Sequence, residues 1–457
     1  MTKSKIPACA AGRPACLTGK NSKLISIDSK TIKNKGIFIA IKGKRFDGHD
    51  FVEEAFRKGA KLAIVSREPK KLRSNYKKRL IVVKDTVKTL GDIAASHRAK
   101  FNIPVIAVTG TNGKTTAKDM VAHVLSSGYN VLKNETSKNN HIGLPLTLLK
   151  LEKKHDAVVV EMGMSGLGEI DRLSEIAAPA IGVITNIGPA HMEFLGTLKN
   201  IFIAKSELLK RLGEKGLAIL NKDDRYLRNI KNLKCRKIYF GIDRSCNFQA
   251  TGLLYRKNKW SFEIDKKQDF EFSLFGRHNI YNALIAIAVA REFNIDFSAI
   301  AEKISSYRQS SPRRLGFKNI RGIGILDDSY NSNPLSMECA IDTLARYVTR
   351  GRKIVVSGDM LELGKKAKTM HEAIGRMLAS SPIDVLVTHG RLSAFMNKEA
   401  GRKGMGELYH ASSHSDAAGF LRKIAKPNDV ILVKGSRAMA MEKIIEEFKK
   451  GHQGARS

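Results

Sequence analysis

Ten residues, Ala107 to Thr116 (AVTGTNGKTT), constrain this chain more than any other stretch. The apolar run from Ile103 to Val108 leads into two closely spaced glycines, and a helical pattern follows. The segment therefore predicts a buried strand, a tight turn and a helix N-terminus in succession. Such a turn aims backbone N–H groups and the positive end of a helix dipole at one anion. Gly110 and Gly113 allow the turn, Lys114 brings a point charge for the outer phosphates of a nucleoside triphosphate, and Thr115 offers a hydroxyl to Mg²⁺. Thr111, Asn112 and Thr116 fall within the same nucleotide-binding group. The usual P-loop would place its first glycine at Val108, so the pattern is the shorter Gly-x-x-Gly-Lys-Thr-Thr and generic P-loop NTPases fit less well. A glycine-rich turn without a ligand is the competing reading.

At 457 residues the chain is too long for one core, and domains of about 150 residues suggest three of them. Residues 1–101 carry short apolar strands at Leu24–Ile27, Ile37–Ile41, Leu62–Val65 and Leu80–Val83, with helical patterns at 51–59 and 87–100. Residues 102–311 alternate helices with strands at Val105–Val108, Ala157–Glu161, Ile181–Thr185 and Leu217–Leu220. That alternation predicts an α/β fold with a doubly wound parallel sheet. A boundary at Ser310, Ser311 and Pro312 opens a third α/β series, 312–457, with strands at Gly322–Leu326, Lys353–Ser357, Asp384–Val387 and Asp429–Val433. The tail from Gly451 to Ser457 reads as disordered.

The 80 Lys and Arg against 44 Asp and Glu give a formal charge of +36, which raises nucleic-acid binding as a hypothesis. The excess is spread along the chain, and no aromatic-interleaved basic strip or zinc finger accompanies it. The expectation is solvated faces that draw in anionic substrates, with no nucleic acid as partner. No apolar run approaches the ~18 residues of a membrane span, and Met1 to Lys23 lacks the apolar segment of a signal peptide. A cytoplasmic protein without membrane insertion is expected. Cys9, Cys16, Cys235, Cys246 and Cys339 are too scattered for a metal site or disulfide framework, and Cys339 reads as a small core residue.

In open parallel sheets ligands gather beyond the carboxyl ends of strands. Glu161 stands at one such end, and Asn186 and His191 follow another. A carboxylate there suits Mg²⁺ beside a triphosphate, whereas a strand-end Glu is as often a solvated loop residue. Lys205, within the helical pattern 199–212, reads from composition alone as one surface charge among many. Asn279 and Asn282, in Gly276–Asn282 (GRHNIYN), bear donors and acceptors for a flat heterocycle, or Asn279 caps the helix that follows. Asp327 to Pro334 (DDSYNSNP) is more polar than a helix cap requires and predicts a binding loop. Gly358 to Gly364 (GDMLELG) and Lys434 to Arg437 (KGSR) each follow an apolar strand, and the latter joins two cations to exposed backbone.

Taken together, these strings resemble the Mur ligases of peptidoglycan synthesis, over about residues 24 to 447. The phosphate turn is general to that family. Asn139 to Leu149, Glu161-Met-Gly with Gly168-Glu-Ile170, Asn186 to His191, Asp327 to Pro334, Gly358 to Gly364 and Lys434 to Arg437 resemble the branch whose acceptor is D-alanyl-D-alanine.

The resemblance implies three α/β domains: an N-terminal UDP-binding one, a central P-loop one and a C-terminal Rossmann-like one. It also implies ATP and Mg²⁺ as cofactors, with UDP-MurNAc-tripeptide and D-Ala-D-Ala as substrates of a cytoplasmic, monomeric ligase. Mg²⁺ would be held by Thr115 and Glu161, and a second metal by His191 with Lys205, whose counterpart in the family is carbamylated. His278, Asn279 and Asn282 would line the adenine site, with Arg314 and Asp328 reaching the nucleotide from the third domain. Tyr330, Asn331, Asn333, Lys434, Ser436 and Arg437 would meet the dipeptide and the reacting carboxylate, with Asn139 and Asn140 also on the substrate side. Catalysis would fall to Lys114, His191, Lys205, Lys434 and Arg437.

In the first domain, Ser29, Lys30, Asp47 and His49 resemble the UDP-sugar contacts. Lys30 stands where the family usually has Arg, so a bidentate diphosphate contact becomes a single charge. Ser137 likewise replaces the usual Asn or Gly. Rival readings are another Mur-type amino-acid ligase, a folylpolyglutamate synthase and, more distantly, a nucleic-acid-stimulated NTPase.

Overall fold

The computed structural model describes residues 24–135, 137–257, 259–265, 268–309 and 313–450. The expectations for Met1 to Lys23, with Cys9 and Cys16, for the boundary Ser310–Pro312 and for the tail Gly451–Ser457 lie outside them. Three sheets are built in chain order. The first, β1 (Ile25–Ser26), β2 (Ile37–Ile39), β3 (Leu62–Val65) and β4 (Leu80–Val82), is wholly parallel and lies in that order.

The central sheet comprises β5 (Val105–Thr109), β6 (Val131–Lys133), β7 (Ala157–Glu161), β8 (Ile181–Ile184), β9 (Leu217–Asn221), β10 (Arg236–Gly241), β11 (Phe248–Arg256), β12 (Lys259–Ile264) and β13 (Gln268–Phe272). Their spatial order is β13-β12-β11-β10-β9-β8-β5-β7-β6. Every residue of β5, β7 and β9 is buried, because helices cover both faces of a parallel sheet. Ile106 and Val108 pack with the helix His278–Glu292, while Val105 and Ala107 face the opposite layer with Leu173, Ile201 and Leu208. The helix His278–Glu292 is apolar around its circumference, and eight consecutive residues, Ala283 to Ala290, are inaccessible to solvent.

The sequence reading missed β6 as well as β10 to β13. Beyond β11 the sheet turns antiparallel, and buried Trp260 and Phe262 pair with Phe272 and Phe270 at a spacing of two, with buried Ile264 opposite Gln268. The third sheet has β14 (Gly316–Ile320), β15 (Ile323–Asp328), β16 (Lys353–Gly358), β17 (Val385–His389), β18 (Glu407–Ala411) and β19 (Val430–Lys434), in the order β14-β15-β19-β16-β17-β18. It is parallel except for the edge strand β14. No helix among the described residues is long and apolar enough to cross a membrane.

β5 lies between β7 and β8, so the chain leaves it toward one side and later returns on the other. Such a switch point opens a crevice at the carboxyl ends of the strands. The phosphate turn lies at the end of β5.

Candidate active site

The turn after β5 is fixed by its neighbours. Gly110 has φ +145°, and a Cβ there would stand 1.9 Å from the Thr185 hydroxyl. Gly113, at φ +80°, precedes the helix Lys114–Leu125, and a Cβ on it would meet Asn282 Oδ1 at 2.7 Å. The loop after β8 clasps the turn from the other side. Asn186 Oδ1 accepts from Asn112 N at 3.0 Å, Thr185 Oγ1 donates to the Asn112 carbonyl at 2.6 Å, and Gly188 N donates to Thr111 Oγ1 at 2.9 Å. The turn is thus held in shape by protein groups alone, as a preorganised phosphate cradle requires.

A cleft of about 1070 Å³ surrounds this cradle. It gathers Thr111 to Thr116, Asn139, Asn140, Glu161, His191, Lys205, His278, Asn279 and Asn282 from the central domain. Arg314, Asp328, Tyr330, Asn331, Asn333, Lys434, Ser436 and Arg437 enter it from the third sheet and its loops. Gly110 shapes the cradle from behind, its carbonyl accepting from Lys205 Nζ at 2.8 Å. Ser29, Lys30, Asp47 and His49 lie away from the cleft lining, in the N-terminal layer.

Thr115 Oγ1 donates to Glu161 Oε2 at 2.7 Å, and Asn139 Nδ2 donates to Glu161 Oε1 at 2.7 Å. A hydroxyl and a carboxylate held together beside a phosphate cradle are hard oxygen donors of the kind Mg²⁺ takes, so this pair fits the ion. Asn139, expected on the substrate side, orients Glu161. Asn140 Oδ1 accepts from the N–H groups of Ile142 and Gly143 and starts the helix Gly143–Leu148.

Lys205 corrects the reading of a surface lysine. The helix Leu198–Lys210 buries it to 3 % exposure, with its ammonium against the phosphate turn. Burial lowers its pKa far below that of a free lysine, Lys114 adds to the shift, and Glu161 opposes it. Lys114 is shifted in the same direction by burial, opposed by Glu161, while its Nζ donates to the Thr111 carbonyl at 2.8 Å. An amine that bonds a carbonyl is a donor, so Lys205 as it stands does not fit a metal ligand. His191, at φ +55°, pairs through Nδ1 with Glu362 Oε2 at 2.7 Å, which ties the central domain to the third.

Sequence reasoning missed Glu362 as a single residue. Its only local signal was membership of the Gly358–Gly364 string, because its partner lies 171 positions away. Asp223 and Tyr281 also line the cleft and were missed, with the Tyr281 hydroxyl donating to Asp223 Oδ2 at 2.9 Å. Cys339, expected in the core, is half-buried on the cleft wall, and burial pushes its thiol up to about 11.

On the nucleoside side, Asn279 is not the helix cap. Its Nδ2 donates to the Phe275 carbonyl at 2.7 Å and its Oδ1 accepts from Asn282 Nδ2 at 2.8 Å, so the two amides form a fixed polar edge. Burial, with Lys434 adding, pushes His278 down to about 4, so its ring is neutral at pH 7, and its Nδ1 is buried with no protein partner. The Arg314 guanidinium lies 4.0 Å above the Tyr330 ring.

Deeper in the third domain, the buried Lys434 Nζ donates to Asp328 Oδ2 at 2.5 Å and to the Asn331 carbonyl at 3.0 Å. Ser436 Oγ accepts from Leu361 N at 2.8 Å, and Arg437 Nη2 donates to Glu442 Oε1 at 2.7 Å. Asn333, expected at the dipeptide, is engaged otherwise. It caps the helix Pro334–Arg346 with a reciprocal Ser336 bond, and its amide meets that of Asn112 at 2.8 and 3.1 Å.

In the N-terminal layer, Ser29 donates to Glu54 Oε2 at 2.9 Å. His49 is buried with both ring nitrogens engaged, Nδ1 on Asp47 at 2.6 Å and Nε2 accepting from Ser66 N at 2.9 Å. A ring so engaged has nothing left for a ligand, which corrects the reading of His49 as a UDP contact. Asp47, held well below the ordinary carboxylate range by the His49 backbone N–H, serves the same loop. His49→Ala is expected to lower unfolding stability by about 1–3 kcal/mol, since it strands the Ser66 N–H. Nucleotide affinity should not change, and thermal melts beside calorimetric ADP titrations check both.

Comparison with known proteins agrees along most of the chain. The models described as "Mur ligase family, catalytic domain", "Mur ligase middle domain" and "Mur ligase, glutamate ligase domain" match residues 21–98, 108–290 and 313–437. The UDP-N-acetylmuramoyl-tripeptide–D-alanyl-D-alanine ligase of Bacillus subtilis is 35% identical over 93% of this chain and 92% of its own. Among solved structures, MurF from Acinetobacter baumannii superposes with a TM-score of 0.85 at 30% identity, covering 93% of both chains. MurF ligase from Thermotoga maritima in complex with ADP does so at 0.84 and 30%, covering 95% of this chain and 99% of its own. With the phosphate cradle, the oxygen pair and the third-domain loops converging on one cleft, this chain belongs to the Mur ligase family.

Proposed function

We propose that the protein is an ATP-dependent ligase that adds D-alanyl-D-alanine to UDP-N-acetylmuramoyl-tripeptide, acting in the cytoplasm as a monomer. The carrying observation is that the phosphate cradle and the Lys434–Arg437 loop, from different domains, face the same cleft, in a chain 35% identical to a relative named for that reaction. The terminal carboxylate of the tripeptide attacks the γ-phosphorus of ATP, the bond to the β,γ-bridging oxygen breaks, and ADP leaves an acyl phosphate. The free amine of the dipeptide then adds to the acyl carbon, orthophosphate departs and the nitrogen loses a proton. Activation is needed because a carboxylate resists attack by an amine.

The chain's own contribution is position and electrostatics. Backbone N–H groups of Gly110 to Thr116 and the Lys114 ammonium hold the phosphates. His278, Asn279 and Asn282 face the base, and Arg314 with Asp328 meets the nucleotide from the third domain. Thr115 and Glu161 would hold Mg²⁺, which when bound neutralises phosphate charge. Lys205, buried against the phosphate turn with its pKa lowered by burial, is the amine assigned to add to CO₂, forming an N–C bond and releasing a proton. That carbamate, with His191, would supply the ligands for a second ion. Lys434, Ser436, Arg437, Asn331 and Tyr330 are assigned to the reacting carboxylate and the dipeptide, and Lys30 to the diphosphate of the UDP sugar. Asn112 and Asn333 hold the two domains in register.

Purified protein with ATP and UDP-MurNAc-tripeptide, ending in lysine or in diaminopimelate, is expected to release phosphate with D-Ala-D-Ala and not with single amino acids. Oxygen-18 in the tripeptide carboxylate should appear in that phosphate. Turnover with single amino acids alone, or unlabelled phosphate, overturns the proposal.

A further inference from the structure

Where β6 ends, an asparagine side chain takes over the work of the strand. β6 pairs with β7 only as far as Lys133 against Val159, two residues short of Glu161. There the main chain turns away. The Asn134 carboxamide then does what the next strand residue would have done. Its Oδ1 accepts from Glu161 N at 2.9 Å, and its Nδ2 donates to the Glu161 carbonyl at 3.0 Å. The second hydrogen of Nδ2 goes to the Lys138 carbonyl at 2.9 Å, which closes the loop back on itself. Asn134 is 1 % exposed, and each polar atom of its amide is engaged.

Its backbone is tied in turn to the phosphate turn's helix. Lys118, one helical turn beyond Lys114 and 1 % exposed, donates from Nζ to the Asn134 carbonyl at 2.7 Å and lies 3.2 Å from Asp119 Oδ1. Asp119 also receives Lys133 Nζ at 2.6 Å. A lysine is almost never buried to this extent without a fixed role. Here it braces the helix carrying Thr115 against the loop that anchors Glu161.

We infer that Asn134, supported by Lys118, is a positioning residue that sets the Glu161 carboxylate against the Thr115 hydroxyl, and so sets the protein's affinity for the divalent ion accompanying its nucleotide. The inference rests on the proposed Mg²⁺ role of Thr115 and Glu161. Asn134 touches neither nucleotide nor ion; it acts through the backbone of Glu161. The Asn139 bond to Glu161 Oε1 cannot substitute, because it constrains the carboxylate and leaves the Glu161 N–H and carbonyl on the β6 side, which Asn134 serves, without their partner.

The test is ADP binding to the full chain by calorimetry, with Mg²⁺ and with EDTA, for the parent, Asn134→Ala and Lys118→Met. In the parent, Mg²⁺ should tighten ADP binding. In Asn134→Ala the affinity in EDTA should stay within twofold, since the cradle amides and Lys114 are untouched, while the gain from Mg²⁺ falls about tenfold. Lys118→Met, close in volume, should show the same split to a smaller degree. Asn134→Ser, which keeps a short donor and acceptor, should recover part of the gain.

Equal weakening with and without Mg²⁺, or an unchanged Mg²⁺ gain in folded Asn134→Ala, overturns the inference. If Asn134→Ala fails to fold, the Lys118→Met and Asn134→Ser titrations decide it by the same criterion. Absence of any Mg²⁺ effect in the parent refutes the metal assignment itself, a result distinguishable from failure of the positioning role.

Discussion

Lys114→Met is expected to fold as well as the parent and to lose at least about 10³-fold in kcat, the scale seen when a preorganised charge is removed from a developing anion. The two halves of that expectation come from one geometry. In the folded chain the Lys114 ammonium makes a single bond, to the Thr111 carbonyl in its own turn, so deleting it forfeits about 1 kcal/mol. Against that loss stands relief from keeping a cation buried, which already lowers the lysine's pKa. Stability should therefore move little, or rise.

The transferred phosphoryl group has no such substitute. Methionine fills the volume but carries no charge, and the Lys205 side chain is directed to the Gly110 carbonyl on the far side of the backbone. Rapid-quench measurement of acyl-phosphate formation, together with a thermal melt, separates the effects. Retained turnover would remove Lys114 from the phosphoryl site, and a collapsed melting curve would make it a structural residue.

What the sequence could disclose tracks how local each cause is. The phosphate turn was legible because its requirements are local: an apolar strand, glycines where φ must be positive, and a cation on the first turn of a helix. The parallel strands buried along their whole length, such as β5 and β7, were legible for the same reason, since burial on both faces writes itself as a continuous apolar run, whereas the less buried parallel strands β6 and β18 were not. The hairpin of β12 and β13 also left a local signature. Its period-two aromatic pattern is interleaved with charged residues such as Glu263 and Glu271 on the outward face. That mixture reads as polar sequence unless alternation is sought deliberately.

The rest depends on tertiary placement. Composition does not mark Lys205 among the chain's lysines, and only the family resemblance singles it out in the sequence; in the fold a helix presses it on the carbonyl of Gly110, 95 positions earlier. Glu362 gains its part from His191, across a domain boundary. His49 illustrates the converse. The residues that resemble a ligand contact instead join a loop to Ser66, a pairing that only the folded layer reveals. Asn333 likewise reads as a polar binding group until the helix it caps and the amide it meets are both in view.

Lys434→Met should be the most destabilising single change in the cleft, by about 3–5 kcal/mol, because it leaves the Asp328 carboxylate buried without its counter-ion. In the parent the Lys434 side chain is 2% exposed and that of Asp328 15%, so water replaces little of what is lost. Removing the charge as well should reverse most of the damage: Lys434→Met combined with Asp328→Asn is expected to regain the greater part of the stability, while turnover stays low in both variants.

The pH dependence has a fixed sign. Burial already holds Asp328 above the ordinary carboxylate range with Lys434 opposing it, and deleting the ammonium raises it further. Between the unfolded and folded pKa the folded chain binds a proton that the unfolded chain does not, so stability falls as pH rises through that interval. The deficit of Lys434→Met should accordingly be largest at neutral pH, shrink on acidification toward the ordinary carboxylate range, and be nearly flat with pH in the double variant. Urea titrations across that range measure all three. A deficit of the same size at every pH would mean that the loss comes from the Asn331 carbonyl bond and side-chain packing, and that the pairing with Asp328 contributes nothing.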